Sequence, residues 1–182
     1  MNKNLVQVTN QATNLLFDIK YAATDNFTGQ QLYKNPLAYL HKDVLPDFIA
    51  ACREFEGLGF GVKIWDAYRP FSFTQKMWDI TPESKKQYVA DPAKGSVHNR
   101  GCAVDMTLYD IKTGKELKMP TGFDDFTEGA HANADITDKN AAKNRDLLIK
   151  VMQNNHFIVE PNEWWHFNWH KANKHPLIDF DI

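Results

Sequence analysis

Two short stretches of the sequence combine residue types that could hold a metal ion. In the first stretch, His98 and Asp105 flank a glycine turn that leads into a predicted strand, so both side chains can converge on one point. The second stretch adds His166. Zinc accepts imidazole nitrogen and carboxylate oxygen, and a catalytic zinc takes three protein ligands and leaves a fourth position for water. The sequence therefore predicts a catalytic zinc site formed by these three residues.

Glu163 stands three positions before His166 and could act as a base at the same site. On an ideal strand, positions three apart point to opposite faces of the sheet. The two side chains converge only if Pro161-Asn162 or a bulge turns the backbone, so we expect Glu163 at the loop end of its strand. There its carboxylate can take a proton from a zinc-bound water whose pKa the metal has lowered toward neutrality.

Arg69 follows a predicted strand and precedes Pro70, which puts a guanidinium at a strand end. A fixed cation aimed at the oxyanion that develops during attack on a peptide carbonyl lowers the barrier. Each of these residues also has an ordinary role when it is taken alone. A lone histidine more often packs in the core, an acidic residue more often caps a turn, and a lone arginine more often forms a surface ion pair. Their joint occurrence favours a catalytic site.

The elements around these residues predict an α+β domain. Helical spacing of apolar residues indicates three helices. The first two lie at residues 44–55 and 71–80, and the third begins after Thr137 or Asp138, either of which could be its N-cap, and ends near Asn154. Strands are predicted at residues 61–68, 102–108, 157–159 and 163–169. The segments 81–95 and 119–135 are polar and are predicted as a surface excursion and a long loop. Without a repeat or linker, we expect one domain over residues 1–182, with a small, mainly antiparallel sheet flanked by helices.

Composition excludes several classes of protein. The chain has 182 residues, of which 43% are hydrophobic and 24% are charged, as in ordinary globular domains. Its net charge is −2 and its basic residues form no stripe, so we expect no nucleic-acid partner. No run approaches the roughly 18 apolar residues of a membrane span, and the first residues lack the apolar stretch of a signal peptide. We expect a cytoplasmic protein without a membrane partner, or a periplasmic one if a leader was removed.

The remaining cysteines and histidines are predicted to have no role in the chemistry. Cys52 and Cys102 lack CxxC spacing and are predicted to pack in the core. His166 and His170 are four positions apart, but a His-Glu-x-x-His motif is absent, so a helical zinc site is rejected. No ligand-like partner is evident in the sequence for five histidines, which we interpret as surface or packing residues: His41, His131, His156, His170 and His175.

The pattern SxHxxGxAxD from Ser96 to Asp105, followed by ExWH from Glu163 to His166, resembles a group of zinc metallopeptidases. This group includes lysostaphin-type endopeptidases, D-Ala-D-Ala peptidases and the hedgehog signalling domain. Within it, the chain looks most like the VanX-type D-alanyl-D-alanine dipeptidases. The resemblance extends to residues 18–29, to Asp66-Ala67-Tyr68-Arg69-Pro70 and to Gly122-Phe123-Asp124.

The resemblance implies a hedgehog/DD-peptidase-like fold with one zinc ion per chain and a role for each motif residue. His98, Asp105 and His166 would bind zinc, Glu163 would act as general base and then acid, and Arg69 would stabilise the tetrahedral intermediate. By the same resemblance, three further residues would contact the substrate. Ser96 would help to hold it, and Asp124 and Tyr21 would lie near its free ammonium.

The implied activity is hydrolysis of D-Ala-D-Ala, a small precursor of peptidoglycan. In the cell this reaction would recycle the dipeptide or deplete it, and depletion would confer resistance to glycopeptide antibiotics. Two alternatives remain at this point. One is a D,D- or L,D-carboxypeptidase that acts on longer murein peptides with the same zinc ligands. The other is a zinc-binding domain without catalysis, although such a domain would need neither Glu163 nor Arg69. The oligomeric state does not follow from the sequence.

Overall fold

The computed structural model describes residues 2–10 and 13–182. Its strands and helices are, in chain order, β1 (Leu5–Gln7), β2 (Leu15–Phe17), β3 (Tyr39–His41), α1 (Leu45–Gly57), β4 (Phe60–Asp66), α2 (Phe71–Ile80), β5 (Ala103–Asp110), α3 (Lys139–Asn154), β6 (Phe157–Glu160) and β7 (Glu163–Trp169). Short 3-10 helices lie between them, including Glu83–Tyr88 in the excursion and Val97–Arg100 before β5.

Five strands form the main sheet in the order β2-β4-β5-β7-β6. All neighbours in this sheet are antiparallel except β2 and β4, and β1 pairs with β3 in a separate two-stranded ribbon. The predicted α+β class with a small, mainly antiparallel sheet is therefore confirmed. Strand β5 lies at the centre of the sheet and is buried on both faces from Ala103 to Tyr109. The strand predicted at residues 102–108 is confirmed and spans Ala103–Asp110.

Helices α1 and α3 pack on each other and on the sheet through their apolar faces. Phe48 and Phe55 of α1 and Leu148 and Met152 of α3 are fully buried. Burial of such side chains stabilises the fold by about 1.5–3 kcal/mol each. Asp138 caps α3, since its Oδ1 accepts hydrogen bonds from the N–H groups of residues 140 and 141 at 2.9 and 3.1 Å. The predicted N-cap is confirmed.

Several predicted boundaries differ from those of the structure. Helix α1 extends two residues past Phe55 to Gly57. Strand β4 ends at Asp66 instead of residue 68, because the N–H groups of Tyr68 and Arg69 donate to the Tyr39 and His98 carbonyl oxygens, outside the main sheet. Strands β1, β2 and β3 were not predicted, since each has three residues and shows no useful periodicity.

Both cysteines are buried and free, as predicted. In the described part of the chain, no helix combines the length and the apolar character needed to cross a membrane.

Candidate active site

A row of three polar residues crosses the centre of the main sheet. Asp105 of β5 lies opposite Asp66 of β4 on one side and opposite His166 of β7 on the other. Residues directly opposite each other on neighbouring strands project to the same face. The sheet itself therefore brings Asp105 and His166 together, although 61 positions separate them in the sequence.

His98 reaches this row from the 3-10 turn Val97–Arg100. Ser96 caps the turn, because its Oγ accepts the His98 N–H at 3.2 Å while Asn99 Oδ1 accepts the Ser96 N–H at 2.7 Å. The turn ends at Gly101 in the left-handed region with φ 65°, and a Cβ there would lie 2.9 Å from the backbone nitrogen of His41. Both the backbone angle and the close approach require glycine, so the turn is fixed at both ends.

The three predicted ligands lie at distances that suit one metal ion. His98 Nε2 is 3.1 Å from His166 Nδ1 and 3.3 Å from Asp105 Oδ2, and His166 Nδ1 is 3.0 Å from Asp105 Oδ1. A tetrahedral zinc ion with bonds of about 2.0–2.1 Å separates its ligand atoms by about 3.3 Å. Asp105 Oδ1 is also buried, and when His166 is neutral with its lone pair on Nδ1 this oxygen has no hydrogen-bond donor among the described residues. The donor set and this unpartnered oxygen both fit a bound cation.

Hydrogen bonds orient both imidazoles so that one nitrogen of each ring faces this point. The Ala67 carbonyl oxygen lies 2.5 Å from His98 Nδ1, and a carbonyl can only accept, so Nδ1 carries the hydrogen and Nε2 keeps its lone pair. Asn168 Oδ1 lies 2.8 Å from His166 Nε2 and in the same way assigns the lone pair to Nδ1. Such acceptors behind histidine ligands fix the tautomer and the ring orientation.

Buried charges shift the pKa values in this group of residues. Burial alone would raise the pKa of Asp105, but the two imidazoles outweigh it and hold that pKa well below its usual range. Burial would likewise lower the pKa of His166, but the negative charge of Asp105 raises it to about 9. Asp105 therefore stays ionised, and in the metal-free protein a proton occupies the nitrogen of His166 that a cation would need.

Glu163 reaches the same group because the backbone before it is irregular. The register between β6 and β7 shifts between Val159 and Glu160, so that Glu160 pairs with Glu163, as the predicted bulge required. Glu163 Oε2 lies 3.7 Å from His166 Nδ1, and 28% of its side chain is exposed. Burial and then the nearby charge of Asp105 raise its pKa, while His166 opposes the shift.

Arg69 is held by a buried carboxylate next to the same group. Its Nε and Nη2 donate to Asp66 Oδ2 at 3.0 and 2.7 Å, and the Tyr33 hydroxyl donates to Asp66 Oδ1 at 2.9 Å. Arg69 Nη2 lies 4.0 Å from Asp105 Oδ2. Burial would lower the pKa of Arg69, but Asp66 raises it well above the usual value, so the guanidinium is a permanent cation.

One cavity of about 300 Å³ is lined by all eight residues predicted for the site: Tyr21, Arg69, Ser96, His98, Asp105, Asp124, Glu163 and His166. Asp124 has a positive φ of 55° and accepts hydrogen bonds from the Tyr21 hydroxyl at 3.1 and 3.3 Å. Burial and then the charge of Asp105 raise the pKa of Asp124 to about 8. The raised pKa shows that no cation pairs closely with the Asp124 carboxyl group, so this group could pair with a positively charged group of a ligand.

Sequence reasoning missed several residues of the cavity and its support. Asn168 could have been found, because it lies two positions after His166 on the same face of β7. Phe27, Tyr88 and Phe126 also line the cavity, but they come from segments without periodicity. His131 lines it as well, so its interpretation as a surface or packing residue does not describe its position.

A second group of metal-ligand types lies outside this cavity. His41, Asp43 and His175 have ligand atoms within 4.8 Å of one another, which corrects the expectation that His41 and His175 have no partner. No sequence pattern indicates this cluster, because His175 is far from the other two residues along the chain. We call His98, Asp105 and His166 the first cluster, and His41, Asp43 and His175 the second cluster.

Comparison with known proteins gives consistent matches. Residues 1–180 match the model of the peptidase family described as D-ala-D-ala dipeptidase. The D-alanyl-D-alanine dipeptidase of Escherichia coli is 37% identical over 164 residues, which cover 90% of this chain and 83% of that protein. The D-alanyl-D-alanine dipeptidase of Enterococcus faecalis is 32% identical, over 83% of this chain and 84% of that protein. Among solved structures, the LD-carboxypeptidase LdcB covers 94% of this chain and 71% of its own, with a TM-score of 0.55 and 16% identity, and supports the fold.

Proposed function

The chain belongs to the D-Ala-D-Ala dipeptidase family of metallopeptidases, and from that premise we propose that it hydrolyses D-Ala-D-Ala with one zinc ion bound by His98, Asp105 and His166. One observation carries the proposal. The first cluster, a half-buried glutamate and a permanent arginine cation all face the same small cavity. A structural zinc site needs neither a base nor a cation beside it, so this combination favours catalysis over a purely structural role.

Once a metal ion displaces the proton of His166, the first cluster would supply two neutral imidazoles and one carboxylate, which is a ligand set of catalytic zinc. When bound, zinc acts as a Lewis acid toward a carbonyl oxygen and lowers the pKa of water. His98 and His166 would keep their orientation during turnover through the Ala67 carbonyl and Asn168. Asp105 would remain ionised because its pKa is depressed.

Glu163 is proposed as the group that moves the proton. Its carboxylate would take a proton from the attacking water and return it to the amine of the departing D-alanine. Burial raises its pKa above that of a free glutamate, which brings the acid closer to the working pH than an ordinary carboxylate. Its position beside His166 supports proton transfer at the metal site.

Arg69 is proposed to stabilise the negative charge on the carbonyl oxygen. Because Asp66 and Tyr33 fix the guanidinium before substrate binds, little reorganisation is needed when the charge develops. Such preorganised donors commonly contribute about 2.7–4 kcal/mol to the stability of the transition state.

Ser96, Asp124 and Tyr21 are proposed to hold the substrate. A dipeptide brings a free ammonium group, and Asp124 is a half-buried carboxyl group of the cavity that could pair with it. The raised pKa of Asp124 fits this role, since a bound cation would restore its charged form. Tyr21 would orient this carboxylate through its hydroxyl, and Ser96 lines the same cavity.

The cavity favours a dipeptide over the longer peptides of a carboxypeptidase. Its volume of about 300 Å³ lies at the lower end of the roughly 300–1,000 Å³ found for small-molecule pockets. The reaction would recycle the cell-wall precursor or deplete it, and both roles require the same chemistry. The cellular compartment remains the prediction made from the sequence.

Dependence on metal tests the proposed function directly. Dialysis against a chelator should abolish the release of D-alanine from D-Ala-D-Ala, and addition of one equivalent of zinc should restore it. Undiminished hydrolysis by protein shown to be free of metal would overturn the proposal. A panel of LL, LD, DL and DD dipeptides with zinc present would then define the stereochemical preference.

A further inference from the structure

Three aromatic side chains from three separate segments meet at the cavity. The Tyr88 ring stacks on Phe126 with centroids 5.0 Å apart and an interplanar angle of 11°. Phe126 in turn contacts Phe27 edge-on, at 5.4 Å and 70°. Each ring is half-buried and lines the cavity. We call Phe27, Tyr88 and Phe126 the aromatic bridge.

The aromatic bridge begins beside the residues proposed to bind the ammonium group. Phe27 contacts the ring of Tyr21 edge-on at 6.3 Å, and the Tyr21 hydroxyl donates to Asp124. Phe126 follows Asp124 by two positions in the chain. The bridge therefore extends from the Asp124 end of the cavity to Tyr88 in the excursion 81–95.

The stacked rings of Tyr88 and Phe126 connect segment 81–95 to segment 119–135. Across the described residues, no hydrogen bond or ion pair joins segment 81–95 to segment 119–135. Tyr88 does not use its hydroxyl in a hydrogen bond to another described residue. Offset aromatic contacts are favourable but individually modest, so removal of one ring should open this connection without unfolding the domain.

We propose that the aromatic bridge closes the cavity beyond the substrate's amino group. Tyr88 and Phe126 thereby restrict the enzyme to free dipeptides. This inference rests on the proposed function, which puts the ammonium at Asp124. A peptide with a further residue or an acyl group on that nitrogen has to pass through the space that the rings fill. Asp124 opposes such a substrate for a different reason, because an amide nitrogen carries no charge to pair with it.

The ratio of two specificity constants tests the inference. We would measure kcat/KM for D-Ala-D-Ala and for N-acetyl-D-Ala-D-Ala in the zinc-loaded wild type, in Tyr88→Ala and in the matched control Tyr88→Phe. The ratio of acetylated to free substrate should rise at least about tenfold in Tyr88→Ala. It should stay at the wild-type value in Tyr88→Phe, which keeps the ring and removes only the hydroxyl.

A second variant keeps the test decisive if Tyr88→Ala is poorly folded. Phe126→Leu retains apolar volume but removes the flat partner of the stack, and its ratio should also rise. A general loss of activity lowers both constants together and leaves the ratio unchanged. An unchanged ratio in the folded variants, or loss of both activities in each of them, would overturn the inference, because the rings would then support the site instead of closing it.

The result also separates the inference from the proposed function. If the zinc-loaded wild type does not hydrolyse D-Ala-D-Ala, the proposed function fails. If it does so but removal of the rings leaves the ratio unchanged, only the role of the aromatic bridge fails.

Discussion

The first and second clusters contain the same residue types, two histidines and one aspartate, but their geometry differs. In the first cluster the candidate ligand atoms lie 3.0–3.3 Å apart. In the second cluster Asp43 Oδ2 lies 3.6 Å from His41 Nδ1 and 3.8 Å from His175 Nε2, and half of the Asp43 side chain is exposed. Residue type and proximity are therefore not enough to define a catalytic metal site.

The two clusters differ in the hydrogen-bond partners of their imidazole nitrogens. In the first cluster, Ala67 and Asn168 accept the hydrogens of the outer ring nitrogens and direct the lone pairs of the inner ones to one point. In the second cluster, His41 Nδ1 already accepts the backbone N–H of Asp43 at 3.2 Å. The rings of His41 and His175 are packed against each other with centroids 3.9 Å apart. The imidazoles of the first cluster are therefore preorganised to bind a cation, whereas those of the second cluster pack against each other.

Loss of one histidine from each cluster should give the largest contrast. His166→Ala should release zinc and reduce turnover of D-Ala-D-Ala by at least about 10⁴-fold, because two protein ligands remain. The matched control His175→Ala should retain one zinc and keep kcat/KM within about threefold. Metal content by atomic spectroscopy and a D-alanine release assay give both readouts. Equal losses in the two variants would remove the distinction between the clusters.

Replacement of Arg69 should affect chemistry without affecting the metal. Arg69→Lys keeps a positive charge beside Asp66, which avoids an unpaired buried carboxylate, but it loses the two-point contact that fixes the guanidinium. We expect kcat to fall about 10- to 100-fold with unchanged zinc content. Arg53→Lys, at an exposed position on α1, is the control. A fall in zinc content in Arg69→Lys would place Arg69 in metal binding instead.

Removal of Asn168, which accepts the hydrogen bond from His166, should leave the first cluster without one of the acceptors that orient its imidazoles. In Asn168→Ala the Nε2–H of His166 loses its partner, so the ring is free to change tautomer and orientation. Zinc affinity should fall about 10- to 100-fold, whereas turnover at saturating zinc should change little. Asn140→Ala, exposed at the start of α3, serves as the control in the same chelator competition. Unchanged affinity would show that Asn168 does not orient the ligand.

The pH dependence of zinc binding should show the smallest change per step, about tenfold per pH unit, and it should be specific to the first cluster. Asp105 raises the pKa of His166 to about 9 in the metal-free protein, so below that pH zinc has to displace a proton. Affinity should therefore increase about tenfold per pH unit up to about pH 9 and then level off. In the second cluster, burial and the charge of His175 lower the pKa of His41, so no such competition is expected there. Titration against a competing chelator at several pH values checks the slope, and a flat profile would contradict this account.

The sequence predicted those features that depend on local pattern. Helix α2 has the predicted bounds, β7 begins and ends as expected, and the bulge before Glu163 was required by strand geometry alone. The second cluster and the aromatic bridge could not be predicted. Both depend on how segments without periodicity pack against one another, as Tyr88 does on Phe126. The ring of His175 packs against that of His41 because the C-terminal segment lies next to the end of β3.

The zinc content and turnover of Glu163→Gln test the central claim most directly, since this substitution keeps the shape of the side chain and removes its basicity. If Glu163 moves the proton and the first cluster alone binds the metal, the variant should retain one zinc per chain while kcat for D-Ala-D-Ala falls about 10²- to 10⁴-fold. Loss of zinc together with activity, or retention of near wild-type turnover, would contradict the proposed division between the metal ligands and the base.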